Sequence, residues 1–202
     1  MHVPAIILAA GASRRLGQPK QLLQYQGMTL LQRMVLRAKA AGCRQIVVVT
    51  GAHADQVEAA IAGEVGVEAV RNEGWQDGQG ASVAIGIRHI LEHAPESAGV
   101  LVMLCDQPFV TTEHLAGLID GVASGAGRVV ATHYPEGSGV PACFAASCFG
   151  SLRALSGTTG AKHWIRGLTN GVASVVPEWN AVDLDAPEDL HWLDDAAPRR
   201  EL

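Results

Sequence analysis

The sequence predicts a single-domain α/β protein built on a mostly parallel, twisted sheet with helices on both faces. Three observations predict it. Short runs of apolar and β-branched residues, Ala5–Leu8, Gln45–Thr50 and Gly99–Leu104, read as strands covered on both sides. The stretches between them carry helical periodicity, as in Leu30, Met34 and Ala38. The composition is 48% hydrophobic but only 4% aromatic, with 23 glycines in 202 residues, which suits an aliphatic core and many strand-to-helix turns.

In chain order, the strand Ala5–Leu8 empties into a long loop, LAAGASRRLGQPK. Thr29 is placed to cap a helix that Gly42 closes, and Gln45–Thr50 is the next strand. A helix over 54–62 and a strand over 67–71 follow, and then a glycine-punctuated loop into a helix over 81–93. Gly99–Leu104 ends at Cys105-Asp106-Gln107-Pro108, and Thr112 is expected to cap a helix running to Val122. Beyond it come a strand over 128–133, an extended GVPACF segment and helices over 147–155 and 161–168. Strands are expected at 172–176 and 181–182, and an acidic helix at 187–193. No internal repeat or linker divides the chain. The domain is drawn at 1–195, with 196–202 as a frayed tail.

Charge is distributed unevenly. Residues 1–54 hold seven Lys/Arg and no acid; the rest holds eight Lys/Arg and all 20 acids. A net charge of −5 argues against nucleic acid as a general partner. No window reaches the roughly 18 apolar residues of a membrane span. The four cysteines lack zinc or CxxC spacing, and no signal peptide is evident, so a reduced, cytoplasmic setting is expected.

Ligands of open α/β sheets sit beyond the carboxyl ends of strands. Two charged features fall there: the Gly11–Lys20 loop with Arg14, Arg15 and Lys20, and Asp106. The loop reads as an anion site or as a basic surface turn. It fits neither GxGxxG nor the P-loop pattern, since Gly11 is followed by Ala-Ser-Arg and Gly17 by Gln-Pro-Lys. Asp106 reads as a strand-end turn residue or as a Mg²⁺ ligand, a hard cation being held by one or two carboxylates. In DLDAPEDL, Asp183 and Asp185 share a face if the segment is extended, whereas Asp185 with Glu188 also resembles a capping box. His89 and His93 lie four apart on a helix and read as a solvated face.

Taken together, LAAGASRRLGQPKQLL resembles the LAAGxSxRMGxxKxLL signature of the MobA-like nucleotidyltransferases, with Leu16 in the usual Met position. Five further landmarks follow in register: Trp75, Gly78 and Ser82 of WxxGxxxS; the triplet Asp106-Gln107-Pro108; Gly139, Pro141 and Phe144 of GxPxxF; Thr158, Gly160, Ala161 and Lys162; and DxDxPEDL. LAAG with DQP looks most like the molybdenum cofactor cytidylyltransferases. The resemblance implies a Rossmann-like fold of the nucleotide-diphospho-sugar transferase type. It also implies Mg²⁺-dependent transfer of CMP from CTP to the terminal phosphate of molybdopterin, with a transient contact to a molybdoenzyme or its chaperone.

On that resemblance Arg15, Lys20 and Asp106 are catalytic, and Leu8, Ala9, Ala10, Gly11, Arg15, Lys20, Gly80 and Ser82 bind the nucleotide. Asp106 and Asp185 hold the metal, with Asp185 preferred over Asp183, and Gly139, Pro141 and Lys162 face the acceptor. The sequence departs from the family pattern at Val140, where His is common, and at Ala186, where Thr is common. The alternatives are GTP or another phosphorylated acceptor, and a non-catalytic carrier or chaperone of the cofactor.

Overall fold

The computed structural model describes residues 2–179 and 181–194. The 1–195 boundary and the tail 196–202 therefore fall at or outside the described residues.

The first strand, β1 (Ala5–Leu8), is wholly buried, and the loop behind it contains a 3-10 turn at Lys20–Leu22. A small hairpin, β2 (Gln24–Tyr25) and β3 (Met28–Thr29), completes the loop and turns at Gln26-Gly27, both at positive φ. These two-residue strands are too short for any sequence period to reveal. Helix α1 (Leu30–Ala40) starts from a capping box, the Thr29 side chain accepting from the Gln32 N–H, and buries Leu31, Met34, Val35 and Ala38. Then follow β4 (Ile46–Thr50), α2 (Ala54–Ala59), β5 (Val67–Arg71), α3 (Gln79–His93) and β6 (Gly99–Leu104).

Helix α4 spans Thr112–Ala123, and its cap is Thr111, whose side chain accepts from the His114 N–H at 3.1 Å; Thr112 is the first helical residue, not the cap. Next come β7 (Val129–Tyr134), β8 (Gly137–Ala145), α5 (Phe149–Arg153), α6 (Ala161–Arg166) and β9 (Val172–Val175). Residues 181–182 form no strand, and 187–193 form a 3-10 helix.

The seven-stranded sheet has the order β5-β4-β1-β6-β8-β7-β9, with only β8 antiparallel to its neighbours. The expected α/β architecture is therefore observed. Helices α1, α2 and α4 bury their apolar residues on one face, and α3, α5 and α6 on the other, giving two cores divided by the sheet. The chain leaves β1 first towards β4 and later towards β6, so the strand order reverses between β1 and β6. Such a reversal opens a crevice at the strands' carboxyl ends. Leu8 is registered opposite Leu104, so the loop after Leu8 and the residues after Leu104 enter the crevice side by side.

A buried polar chain braces the β7–β8 end. Thr132 donates its one hydroxyl hydrogen to the Pro141 carbonyl at 2.7 Å, so His114 Nε2, 2.8 Å away, is the donor to Thr132 Oγ1. His114 thus carries a proton on Nε2, and burial, which lowers its pKa from 6.5 to about 4, keeps the ring neutral near pH 7. A pKa lower in the folded than in the unfolded chain means that the unfolded chain takes up the proton first. The resulting stability is full above pH 6.5 and is lost as pH falls towards 4. The loss should amount to about 3 kcal/mol. Denaturant titrations across this interval should show His114→Gln with a flatter pH dependence than the parent; equal slopes would contradict this assignment.

Candidate active site

Two adjoining clefts open at the β1–β6 crevice. The smaller, about 170 Å³, is lined by residues that include Leu8, Ala10, Gly11, Lys20, Ser82 and Asp106. The larger, about 580 Å³, is lined by residues that include Gln107, Tyr134, Gly139, Lys162, Trp179 and Asp183. They share Leu104, and the consecutive residues Asp106 and Gln107 line one cleft each.

The loop after β1 is held in shape by Gln21, a residue that sequence reasoning missed. It is fully buried, and its Nε2 donates to the carbonyls of Ala9 and Gly11, both at 2.8 Å. Only its place in a polar stretch beside Lys20 hinted at it. The Ser13 hydroxyl accepts from the Lys20 N–H at 3.1 Å, which closes the loop and starts the turn that projects Lys20 inward.

At the junction of the clefts the Lys20 ammonium contacts Asp106 Oδ2 and lies 3.0 Å from Asp185 Oδ1. Arg15 Nη2 reaches Asp185 Oδ2 at 3.0 Å from the exposed side. The basic first quarter and the acidic remainder meet here. Burial works against the charge on Lys20, but Asp106 outweighs it and raises the lysine above its usual range. Burial likewise opposes ionisation of Asp185, and Lys20 with Arg15 reverses this, holding the carboxyl below the usual carboxylate range. Arg14 is exposed.

Asp185 is free for this role because Asp189, rather than Asp185 or Glu188, caps the following turn: Asp189 Oδ2 accepts from the N–H groups of Asp185 and Ala186 at 2.8 Å. The segment is anchored to the end of β6 by Leu184 N–H donating to the Asp106 carbonyl at 3.0 Å. Asp183 takes the other cleft. Its Oδ1 accepts from Gln107 Nε2 at 2.9 Å, and burial together with the Asp106 charge raises its carboxyl above the usual range. Gln107 is oriented by the same contacts: Tyr134 donates its hydroxyl to the Val140 carbonyl at 2.6 Å and accepts from Gln107 Nε2 at 3.1 Å.

Ser82 is not a capping residue. It lies inside α3, whose cap is Gly78, and its hydroxyl oxygen accepts from Asn72 Nδ2 at 2.9 Å, leaving its hydrogen for the small cleft. Gly80 is a packing residue: a Cβ there would lie 2.5 Å from the Thr159 carbonyl oxygen. Gly78, at φ +121°, meets the Gly157 carbonyl in the same way. The WxxGxxxS and Thr158–Lys162 landmarks are thus two sides of one contact, which seats α3 against the start of α6. Ala9 and Pro141 are buried and line neither cleft; their carbonyls brace Gln21 and Thr132. Lys162 lines the larger cleft but is turned to Glu136 at 3.2 Å.

The donor set fits a divalent cation. Asp106 Oδ1 is a buried carboxylate oxygen without a hydrogen-bond partner, and Asp185 stands across the same ammonium. No group of three or more His, Cys, Asp or Glu side chains among the described residues is arranged for a metal, so waters and phosphate oxygens would complete the shell. His89 and His93 instead stack on the flank of α3, with His89 facing Glu68 at 2.6 Å. Cys105 adjoins the site but is inert, burial and the neighbouring Asp106 pushing its thiol up to about 12. No helix among the described residues is long and apolar enough to cross a membrane.

Comparison with known proteins bears on the family and the fold. The chain is 35% identical to nicotine blue oxidoreductase of Paenarthrobacter nicotinovorans over 138 residues, 65% of this chain and 62% of that one. It is 28% identical over 123 residues to a Bacillus cytotoxicus protein named "probable molybdenum cofactor guanylyltransferase", covering 58% and 57% of the two chains. Among solved structures it is similar to Rv0371c of Mycobacterium tuberculosis, with a TM-score of 0.81, 30% identity and coverage of 96% and 98%. A second structure of that protein is a complex with manganese. Residues 5–173 match the MobA-like NTP transferase domain, and the chain belongs to that family.

Proposed function

We propose that this nucleotidyltransferase carries CMP from CTP to the terminal phosphate of a molybdopterin-type acceptor. An acceptor phosphate oxygen attacks the α-phosphorus of CTP, a new P–O bond forms, the bond to the β-phosphate oxygen breaks and pyrophosphate leaves. The observation that carries the reading is the pair of clefts meeting at Asp106 and Gln107, with Lys20 and Asp185 at the junction. A donor and an acceptor phosphate can be brought into line there, which is most of what phosphoryl chemistry asks of a protein.

Leu8, Ala10, Gly11 and Ser82 serve the nucleoside, and Ala10 is the residue to vary for base choice. Lys20 and Arg15 turn to the triphosphate and stabilise the departing pyrophosphate. Asp106 and Asp185 would hold Mg²⁺, which when bound neutralises phosphate charge; the manganese complex of Rv0371c supports a divalent ion. Gly139, Lys162 and Asp183 serve the acceptor, so Asp183 moves from second-choice metal ligand to the acceptor side. Four buried free thiols suit a reduced, cytoplasmic setting.

The guanylyltransferase relative favours GTP as the second reading. An oxidoreductase reading, prompted by the other relative's name, lacks support in the loop, where GxGxxG is missing.

Pyrophosphate release should be measured with CTP, GTP, ATP and UTP beside molybdopterin and Mg²⁺, and nicotinamide oxidation followed in parallel. CTP is expected to turn over fastest. Absent turnover with CTP, or consumption of reduced nicotinamide, would overturn the proposal. In the same assay Asp106→Asn should lower kcat by at least about 100-fold with folding preserved; intact cofactor delivery by that variant would favour a carrier. Asp183→Asn should raise the acceptor's KM more than the nucleotide's. The reverse order would return Asp183 to the metal side.

A further inference from the structure

In the free protein Lys20 already has a task. Its ammonium contacts Asp106 Oδ2 and lies 3.0 Å from Asp185 Oδ1, while Arg15 holds Asp185 Oδ2 at 3.0 Å. Three of the four oxygens of the two carboxylates are thus engaged by cations of the same chain. The fourth, Asp106 Oδ1, is buried without a partner. Two negative charges are matched by two positive ones. The nearby Asp183, whose charge also reaches Asp106 and Asp185, is turned to Gln107. A divalent ion approaching this cluster finds the charges of both ligands already offset and must share them with an ammonium that is only 16% exposed. Like charges so close and so poorly screened repel strongly.

The geometry points to Lys20 as an internal counter-ion that keeps Asp106 and Asp185 from holding a divalent cation until a nucleoside triphosphate draws the ammonium away. The inference rests on the nucleotidyl-transfer reading above, in which these two aspartates are the cation's ligands. Lysine suits the task, being a point charge on a flexible four-carbon stem that can exchange a carboxylate for a phosphate oxygen. Arg15 contributes less, because it is largely exposed and, among the described residues, pairs with Asp185 alone of the two. By linkage, whatever nucleotide does for the cation's affinity the cation does for the nucleotide's. Part of that coupling then belongs to Lys20, beyond the direct bonds between metal and phosphate.

The test is Mn²⁺ binding to the full chain without nucleotide, read from the electron paramagnetic resonance of the free ion. Lys20→Met should bind Mn²⁺ at least about tenfold more tightly than the parent, within the range usual for coupled sites. The gain should vanish in Lys20→Met/Asp106→Asn. The parent should take up Mn²⁺ strongly only after a non-hydrolysable CTP analogue is added. Lys20→Gln, which can still donate a hydrogen bond to Asp106, is the second variant should Lys20→Met fail to fold, and is expected to move in the same direction. If the parent takes up Mn²⁺ with the analogue but neither variant binds it more tightly alone, the inference is overturned and the reading of the site stands. If the parent takes up none even with the analogue, that reading falls and the inference falls with it.

Discussion

An ammonium between two carboxylates joins the ends of this chain. Lys20 comes from the first loop, Asp106 from the end of β6 and Asp185 from a segment lacking regular structure, yet all three meet within hydrogen-bonding distance. The first 54 residues contain no acid, so the basic loop has no carboxylate of its own. Removing one member of such a cluster would leave a poorly solvated charge, a cost larger than the net worth of the intact pair. The packing of the loop and the proposed chemistry therefore draw on the same charges.

The sheet explains why the meeting happens where it does. Reversal of strand order between β1 and β6 leaves a crevice, and the Leu8–Leu104 register sets the two loops at equal height within it. The antiparallel β8 and its hairpin partner β7 then build the wall of the larger cleft. Gln107 links the two halves. Its amide is oriented by Tyr134 and Asp183 in the larger cleft while its neighbour Asp106 faces Lys20. Glycines at 78 and 80 bring α3 against the turn before α6, closing the small cleft from the third side.

Much of this was legible in the sequence. Strands such as Ile46–Thr50 and Gly99–Leu104 announce themselves by composition, and the aspartate after the second stands where a strand ends. The charges of Arg15, Lys20 and Asp106 follow strands but read equally well as turn residues, and only the family resemblance grouped them with Asp185. What stayed hidden depends on tertiary partners. Gln21 and Asn72 look like ordinary polar residues until burial reveals which carbonyl or hydroxyl each one holds. Gly80 lies within one family landmark and Pro141 belongs to another, yet they pack and brace rather than line a cleft, a distinction no spacing rule makes. The β2–β3 hairpin is too short for any period, and Asp183 parted from Asp185 because Gln107, remote in sequence, claimed it.

On the proposed function, Lys20, Asp106 and Asp185 are the charged centre of a nucleotide–metal site. The most direct measurement is a crystal structure with CTP and Mn²⁺, using anomalous scattering to locate the ion. One manganese is expected on Asp106 and Asp185, with the Lys20 ammonium moved onto the triphosphate. Manganese bound elsewhere, or Lys20 still between the two aspartates with CTP in place, would contradict it.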